Sequence, residues 1–207
     1  PDGIRKIHKG RISYGGGVAI FLSLLISSYL FLEVEYLFSN NLLKISLISI
    51  GILLLGLIDD IRPLPIAIRL ITQILISWAV ILVTDIYVRD LGDLLGFGNI
   101  VLGELGIPLT IFMVVGMCNA FNMLDGIDGL VASVAFAVFT SISILSLING
   151  INLSMVFIPS VIFFGFLLFN LGLLGKKRKM FLGDSGSMWL GFITAWSLII
   201  FSQGEEA

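Results

Sequence analysis

Two amides and two carboxylates fall within ten residues in the stretch Asn119-Ala120-Phe121-Asn122-Met123-Leu124-Asp125-Gly126-Ile127-Asp128-Gly129-Leu130, which lies between two long apolar runs. An all-oxygen set of this kind suits a hard divalent cation and the polar edges of a nucleotide. The glycines let the backbone turn tightly and approach a ligand. A plainer account is a corner between two helices whose aspartates cap the second. One aspartate suffices for a cap, so that account leaves Asn119 and Asn122 unexplained. Ionisable groups beside apolar spans are costly and mark function by default.

Two more acidic groups sit at the margins of apolar runs: the pair Asp59-Asp60, and Asp184 within Gly183-Asp184-Ser185-Gly186-Ser187. Five carboxylates at one surface repel one another unless a cation joins them. Mg²⁺ is the natural candidate, because it binds through one or two carboxylates plus substrate phosphates. The basic run Lys176-Lys177-Arg178-Lys179 precedes Asp184 closely, which points to a phosphorylated substrate. The same run also reads as an anchor for anionic lipid headgroups. The helix start at Ser185 reads either as an anion site or as a simple cap. His8 is the only histidine, so a His-based metal centre is not available.

The elements that must position these groups are membrane helices. The chain is 57% hydrophobic and only 13% charged, with a mean hydropathy of +1.09. That composition excludes a soluble domain and predicts an all-α, polytopic transmembrane bundle. Apolar runs predict seven spans, near 16–32, 42–58, 66–84, 107–123, 129–148, 151–173 and 188–202. Pro63 and Pro65 punctuate the second connection. Residues 85–106 form the longest polar one, and Asn149-Gly150 a tight turn. The lone Cys118 excludes an internal disulfide and is expected inside a helix. With no repeat and no linker, residues 1–207 read as one membrane domain. The missing initiator Met and the abrupt end predict that it is incomplete at both ends.

Seven crossings place the basic arm (Arg5, Lys6, His8, Lys9, Arg11) and the loops after spans two, four and six on one face. Ten of the twelve Lys and Arg residues fall there, leaving only Lys44 and Arg89 opposite. The positive-inside rule makes that face cytoplasmic. Asp59, Asp60, Asp125, Asp128 and Asp184 all belong to it, whereas Glu33, Glu35, Asp85, Asp90, Asp93, Glu104 and the terminal glutamates are external.

Leu57-Ile58-Asp59-Asp60, the stretch Asn119 to Leu130, and Phe181-Leu182-Gly183-Asp184-Ser185-Gly186-Ser187 resemble the signature motifs of the polyprenyl-phosphate N-acetylhexosamine-1-phosphate transferases (glycosyltransferase family 4). The resemblance covers essentially the whole chain. It is closest to the branch that makes polyprenyl-diphosphate-GlcNAc for O-antigen, enterobacterial common antigen or teichoic acid linkage. It implies that a UDP-N-acetylhexosamine gives its sugar-1-phosphate to undecaprenyl or another polyprenyl phosphate, with UMP leaving. It implies Mg²⁺, or Mn²⁺, with Asp184 and Asp125 as ligands. Asn122, Asp125 and Asp128 would arrange the nucleotide and metal, supported by Asn119. Asp59 or Asp60 would deprotonate or orient the lipid phosphate. Arg69, Lys176, Lys177, Arg178 and Lys179 would bind phosphate.

The implied setting is the bacterial cytoplasmic membrane with the site facing the cytoplasm. No nucleic-acid partner is expected, and a homodimer is left open. Two departures stand out. The segment Ile61-Arg62-Pro63-Leu64-Pro65 lacks the third acid that some relatives carry, and the chain ends before the family's His-rich motif. The alternatives are the phospho-MurNAc-pentapeptide branch and, outside enzymes, a cation transporter. A transporter would put its ionisable groups near mid-membrane.

Overall fold

The computed structural model describes residues 15–31, 41–94, 96–148, 153–175 and 178–203. The basic arm, the loop with Glu33 and Glu35, the Asn149-Gly150 turn, Lys176, Lys177 and the acidic tail lie outside the described residues. The described residues form α1 (Gly16–Phe31), α2 (Asn41–Ile48), α3 (Ile50–Ile61), α4 (Ile66–Thr84), α5 (Gly106–Leu124), α6 (Leu130–Ile148), α7 (Leu153–Asn170) and α8 (Gly183–Gln203), with a 3₁₀ turn over Gly103–Leu105. No β-strand is present among them, and Asp90 and Val101 form an isolated bridge.

Four segments are long and apolar enough to cross a membrane: Ile66–Thr84, Gly103–Leu124, Leu130–Ile148 and Gly183–Gln203. Their outward faces are hydrocarbon-compatible. Ile71, Leu75, Trp78 and Leu82 on α4 and Phe112 on α5 are all exposed, which suits lipid rather than water.

The expected second span is two helices, α2 and α3, separated at Ser49. The backbone hydrogen bonds nearly continue through the break, with Ser49 N–H donating to the Ile45 carbonyl at 2.8 Å. The Ser49 hydroxyl donates to the Ser46 carbonyl at 2.7 Å, a back-bond that bends helices. It also accepts the Trp189 indole N–H at 2.8 Å. α3 then runs on to Ile61, so Asp59 and Asp60 lie inside its last turn rather than beyond it.

α8 is the central helix. About 67% of its apolar window is buried, against 22% for the windows of α4 and α5. It packs against α5, α3, α1 and α6, while α7 packs on α6 and α1. Its first turn is made of small residues, and the neighbours approach it backbone to backbone. A Cβ built on Gly56 of α3 overlaps the Ser185 backbone, and one on Gly17 of α1 overlaps Gly186. At its other end, the Gln203 side chain accepts from Arg89 N–H at 2.8 Å and donates to the Asp90 carbonyl at 3.1 Å. That contact ties the long polar connection to the bundle.

Gly56→Ala is expected to lower stability by about 1–3 kcal/mol, because the extra methyl must push α3 off α8. Gly116→Ala is the control. A Cβ at Gly116 meets nothing within 4 Å, and replacing a mid-helix glycine gains up to about 1 kcal/mol. Thermal midpoints in one detergent decide this, and equal effects of the two substitutions would refute the close approach.

Candidate active site

The site gathers at the α8 N-terminus. A helix leaves its first four N–H groups without intrahelical partners. Here the Asp60 carboxylate accepts from Asp184 N–H at 2.9 Å and Ser185 N–H at 3.1 Å. Charge at this pole is also favoured by the helix dipole. The approach depends on Gly183, which has φ +76° and where a Cβ would sit 2.9 Å from Asp60 Oδ2. The cap therefore comes from α3. Ser185 is fully buried, and its hydroxyl has no hydrogen-bond partner among the described residues. The motif Gly183 to Ser187 forms the first turn of α8, not a loop ahead of it.

α5 delivers the two amides three residues apart, hence on neighbouring positions of one face. Asn122 Nδ2 donates to Asp184 Oδ1 at 2.8 Å and to Ser187 Oγ at 3.1 Å. Asn119 Nδ2 donates to the Val115 carbonyl at 2.8 Å and to Gln73 Oε1 of α4 at 2.8 Å. Asn122 thus joins the α8 acid directly, while Asn119 is tied to α4.

The remaining candidates separate. Asp59 is buried and turns to α4, accepting from Arg69 Nη1 at 2.8 Å and from Leu64 N–H at 2.6 Å. Arg69 is therefore a partner of Asp59 across the Pro63–Pro65 corner. Asp128 forms an ion pair with Lys179, whose ammonium also lies over the Phe181 ring. Arg178 is exposed. Asn170 was not anticipated from the sequence. It accepts from Gly129 N–H at 2.6 Å and donates to the Met180 carbonyl at 2.8 Å, holding the Asp125–Gly129 turn against the segment that leads into α8. Gln73 was missed as well. Each is a lone amide in or at the end of an apolar span, and that isolation is the signal available in the sequence.

Asp125 follows α5 in the turn. Its carboxyl is pushed up to about 7, first by desolvation and then by the negative charges of Asp184, Asp60 and Asp128, against a hydrogen bond from the Gly183 backbone. Four aspartates from three chain segments thus sense one another. Among the described residues, no three His, Cys, Asp or Glu side chains surround one point as a ready-made metal cage. The donor set fits a cation taken up by one or two carboxylates and completed by a ligand's own oxygens.

The described residues thus form an apolar helical bundle with an acidic, amide-rich cluster at helix ends, flanked by basic side chains. The family model for glycosyl transferase family 4 matches residues 42–202, and the chain belongs to that family. The undecaprenyl-phosphate alpha-N-acetylglucosaminyl 1-phosphate transferase of Yersinia pestis is 34% identical over 207 residues, covering 97% of this chain and 54% of the relative. The protein of the same name from Salmonella typhi is 32% identical over 204 residues, with the same coverage. The phospho-N-acetylmuramoyl-pentapeptide-transferase of Prochlorococcus marinus is 33% identical over 217 residues, covering 92% of this chain and 57% of the relative. The chain spans about half the length of the curated relatives it matches.

Two measurements probe the site without a substrate. Arg69→Met leaves the buried Asp59 carboxylate without its counter-charge, and an expected loss of about 3 kcal/mol follows. Asp59→Leu combined with Arg69→Met recovers most of it. A double variant no better than the single one contradicts the pairing. The second measurement is pH dependence. The folded-state pKa of Asp125 is raised, so its stabilising contribution is fully present below the unfolded value near 4. That contribution is lost as pH rises through about 7. In divalent-free buffer, the stability of Asp125→Asn relative to the parent should therefore rise between those limits and level off above. A flat difference across that range contradicts the charge cluster.

Proposed function

We propose that the protein containing this chain transfers N-acetylhexosamine-1-phosphate, specifically GlcNAc-1-phosphate, from a UDP-sugar to undecaprenyl or another polyprenyl phosphate. The single observation that carries the reading is the meeting of Asp60, Asn122 and Asp184 at the α8 N-terminus, with Asp125 beside them. Relatives named for this reaction support it along nearly the whole chain. In the reaction, an oxygen of the acceptor phosphate bonds to the sugar-bearing phosphorus of the donor. The bond from that phosphorus to the bridging oxygen breaks, and UMP leaves with the electron pair.

Asp184 and Asp125 are the residues assigned to Mg²⁺, with Mn²⁺ as a substitute. When bound, the cation neutralises phosphate charge and draws electrons from the leaving oxygen. Asn122 orients Asp184 through its hydrogen bond. Asp128 and the basic residues Arg178 and Lys179, with Lys176 and Lys177, are assigned to nucleotide and phosphate. Asp60 lies beside Asp184, and it is the member of the aspartate pair assigned to the acceptor phosphate. Asp59, engaged by Arg69, is assigned to holding α3 against α4. The setting is the bacterial cytoplasmic membrane with the site on the cytoplasmic face, supported by ten of twelve basic residues falling on that side of the topology.

A second donor is weighed because the Prochlorococcus marinus relative is named for a muramoyl-pentapeptide. The experiment uses full-length protein in detergent with a short polyprenyl phosphate. UDP-GlcNAc and UDP-MurNAc-pentapeptide are offered separately, and UMP release is measured. Transfer from UDP-GlcNAc alone is expected, with Asp184→Asn reducing it by at least a thousandfold while expression and thermal stability hold. Turnover of the muramoyl donor alone, or near-parental activity of Asp184→Asn, overturns the reading.

A further inference from the structure

The connection between α4 and α5 lies at the end of the bundle opposite the acidic site, where Gln203 at the far end of α8 holds Arg89 and Asp90. Within it the chain doubles back as a short finger. Leu91 N–H donates to the Ile100 carbonyl at 3.1 Å, Ile100 N–H to the Gly92 carbonyl at 3.2 Å, and Leu102 N–H to the Arg89 carbonyl at 2.8 Å. The two acids of the finger serve the same closure. Asp90 accepts from Gly92 N–H at 2.7 Å through one oxygen and from Asn99 Nδ2 at 2.9 Å through the other. Asp93 accepts from Gly98 N–H at 2.9 Å. Gly96 and Gly98 turn the tip with φ +76° and +107°.

The apolar side chains are arranged the other way. Leu91 and Leu102 of the two legs pack against the core, while Phe97 is 94% exposed and Leu94 and Val101 are strongly exposed with it. A loop built for water turns its polar groups outward and its large apolar groups in. Here the carboxylates close the finger from within and the outer face is apolar. A bilayer demands that order, because backbone and polar groups there must find partners inside the protein. The adjoining helices carry the same exposed apolar surface up to the roots of the finger, with Leu82 and Val83 in the last turn of α4, Leu105 just before α5 and Phe112 on α5. At the root, Arg89 is paired with Asp85 at 2.6 Å and lies over the ring of Tyr87 at 4.7 Å. Tyrosine concentrates at the boundary between membrane and water.

We propose that this finger is a lipid-binding anchor. It lies at the boundary of headgroups and acyl chains in the leaflet opposite the acidic site, with Leu94 and Phe97 inserted among the lipids. Lipid is the occupant of its outer face because that face continues the apolar surfaces by which α4 and α5 meet the bilayer. Insertion leaves the finger's carboxylates engaged, since Asp90 and Asp93 already hold donors of the finger itself. The anchor is independent of the transfer reaction.

The test uses full-length protein with its other cysteines replaced and a nitroxide attached at Phe97→Cys, embedded in nanodiscs of phosphatidylethanolamine and phosphatidylglycerol. Collision with oxygen, which concentrates in hydrocarbon, is compared with collision with a water-soluble nickel chelate. Phe112→Cys is the lipid reference and Glu104→Cys, at an exposed position, the aqueous one. The oxygen-to-nickel ratio at position 97 should exceed that at position 104 by about fivefold and approach that at position 112. A ratio equal to that at position 104 puts the finger in water and overturns the proposal. Shielding from both reagents overturns it as well: in discs holding one protein it identifies the remainder of the full-length chain as the cover, and only in discs holding two it identifies a second copy. If Phe97→Cys does not fold, Leu94→Cys at the same tip is labelled instead, and the same ratios decide.

Discussion

The N–H groups that open α8 are the backbone donors that the rest of the site is built on. A helix leaves its first N–H groups without intrahelical partners, and Asp60 of α3 meets two of them. One carboxylate thereby fixes where α8 starts, how deep Asp184 sits, and how α3 lies against it. The small residues of the first turn follow from this, because Asp60 reaches the amides only if α3 and α1 touch α8 at its backbone. Gly17, Gly56 and Gly183 are three answers to that one requirement.

The electrostatics come from the same geometry. Asp60 at the α8 pole joins Asp184 and Asp125, and burial first, then the charges of Asp184 and Asp60, make the Asp125 carboxyl resist ionisation. The bundle counters only part of this negative charge. Among the described residues Arg69 pairs with Asp59 and Lys179 with Asp128, while Asp60 and Asp184 are engaged by hydrogen bonds. That charge suits the cation proposed above, and Asn119 and Asn122 turn their amide nitrogens inward.

The sequence made the acidic motifs and the all-helical class legible for a simple reason. Charge stands out against an apolar background, and helix length follows from apolar run length. The same contrast exposed Asn119, Asn122, Asp125, Asp128 and Asp184 as a group. Partnership was not legible. Nothing in the spacing tells that Asp59 turns to Arg69 while its neighbour Asp60 turns to α8. Adjacent residues on a helix point about 100° apart, so a pair that reads as one motif divides between two neighbours. The Ser49 interruption was hidden because serine is tolerated in apolar helices and its contacts with Ser46 and Trp189 are not legible in the spacing. Gln73 and Asn170 passed unnoticed because one amide in a long apolar span resembles incidental polarity until its partners are seen.

α8 is fastened at three heights. Asp60 holds its first turn, Ser49 takes the Trp189 indole one turn later, and the Gln203 amide grips the chain at Arg89 and Asp90. About twenty residues of helix span roughly 30 Å, so these fasteners sit near both ends of a rod. Sliding the rod by a single turn would break all three at once. The helix that carries Asp184 is therefore denied axial travel, and whatever motion accompanies ligand entry and exit must fall to the parts around it. The Asp125–Gly129 turn and residues 178–182 are tied to each other through Asn170 and the Asp128–Lys179 pair. In mechanical terms α8 is the fixed jaw of the site.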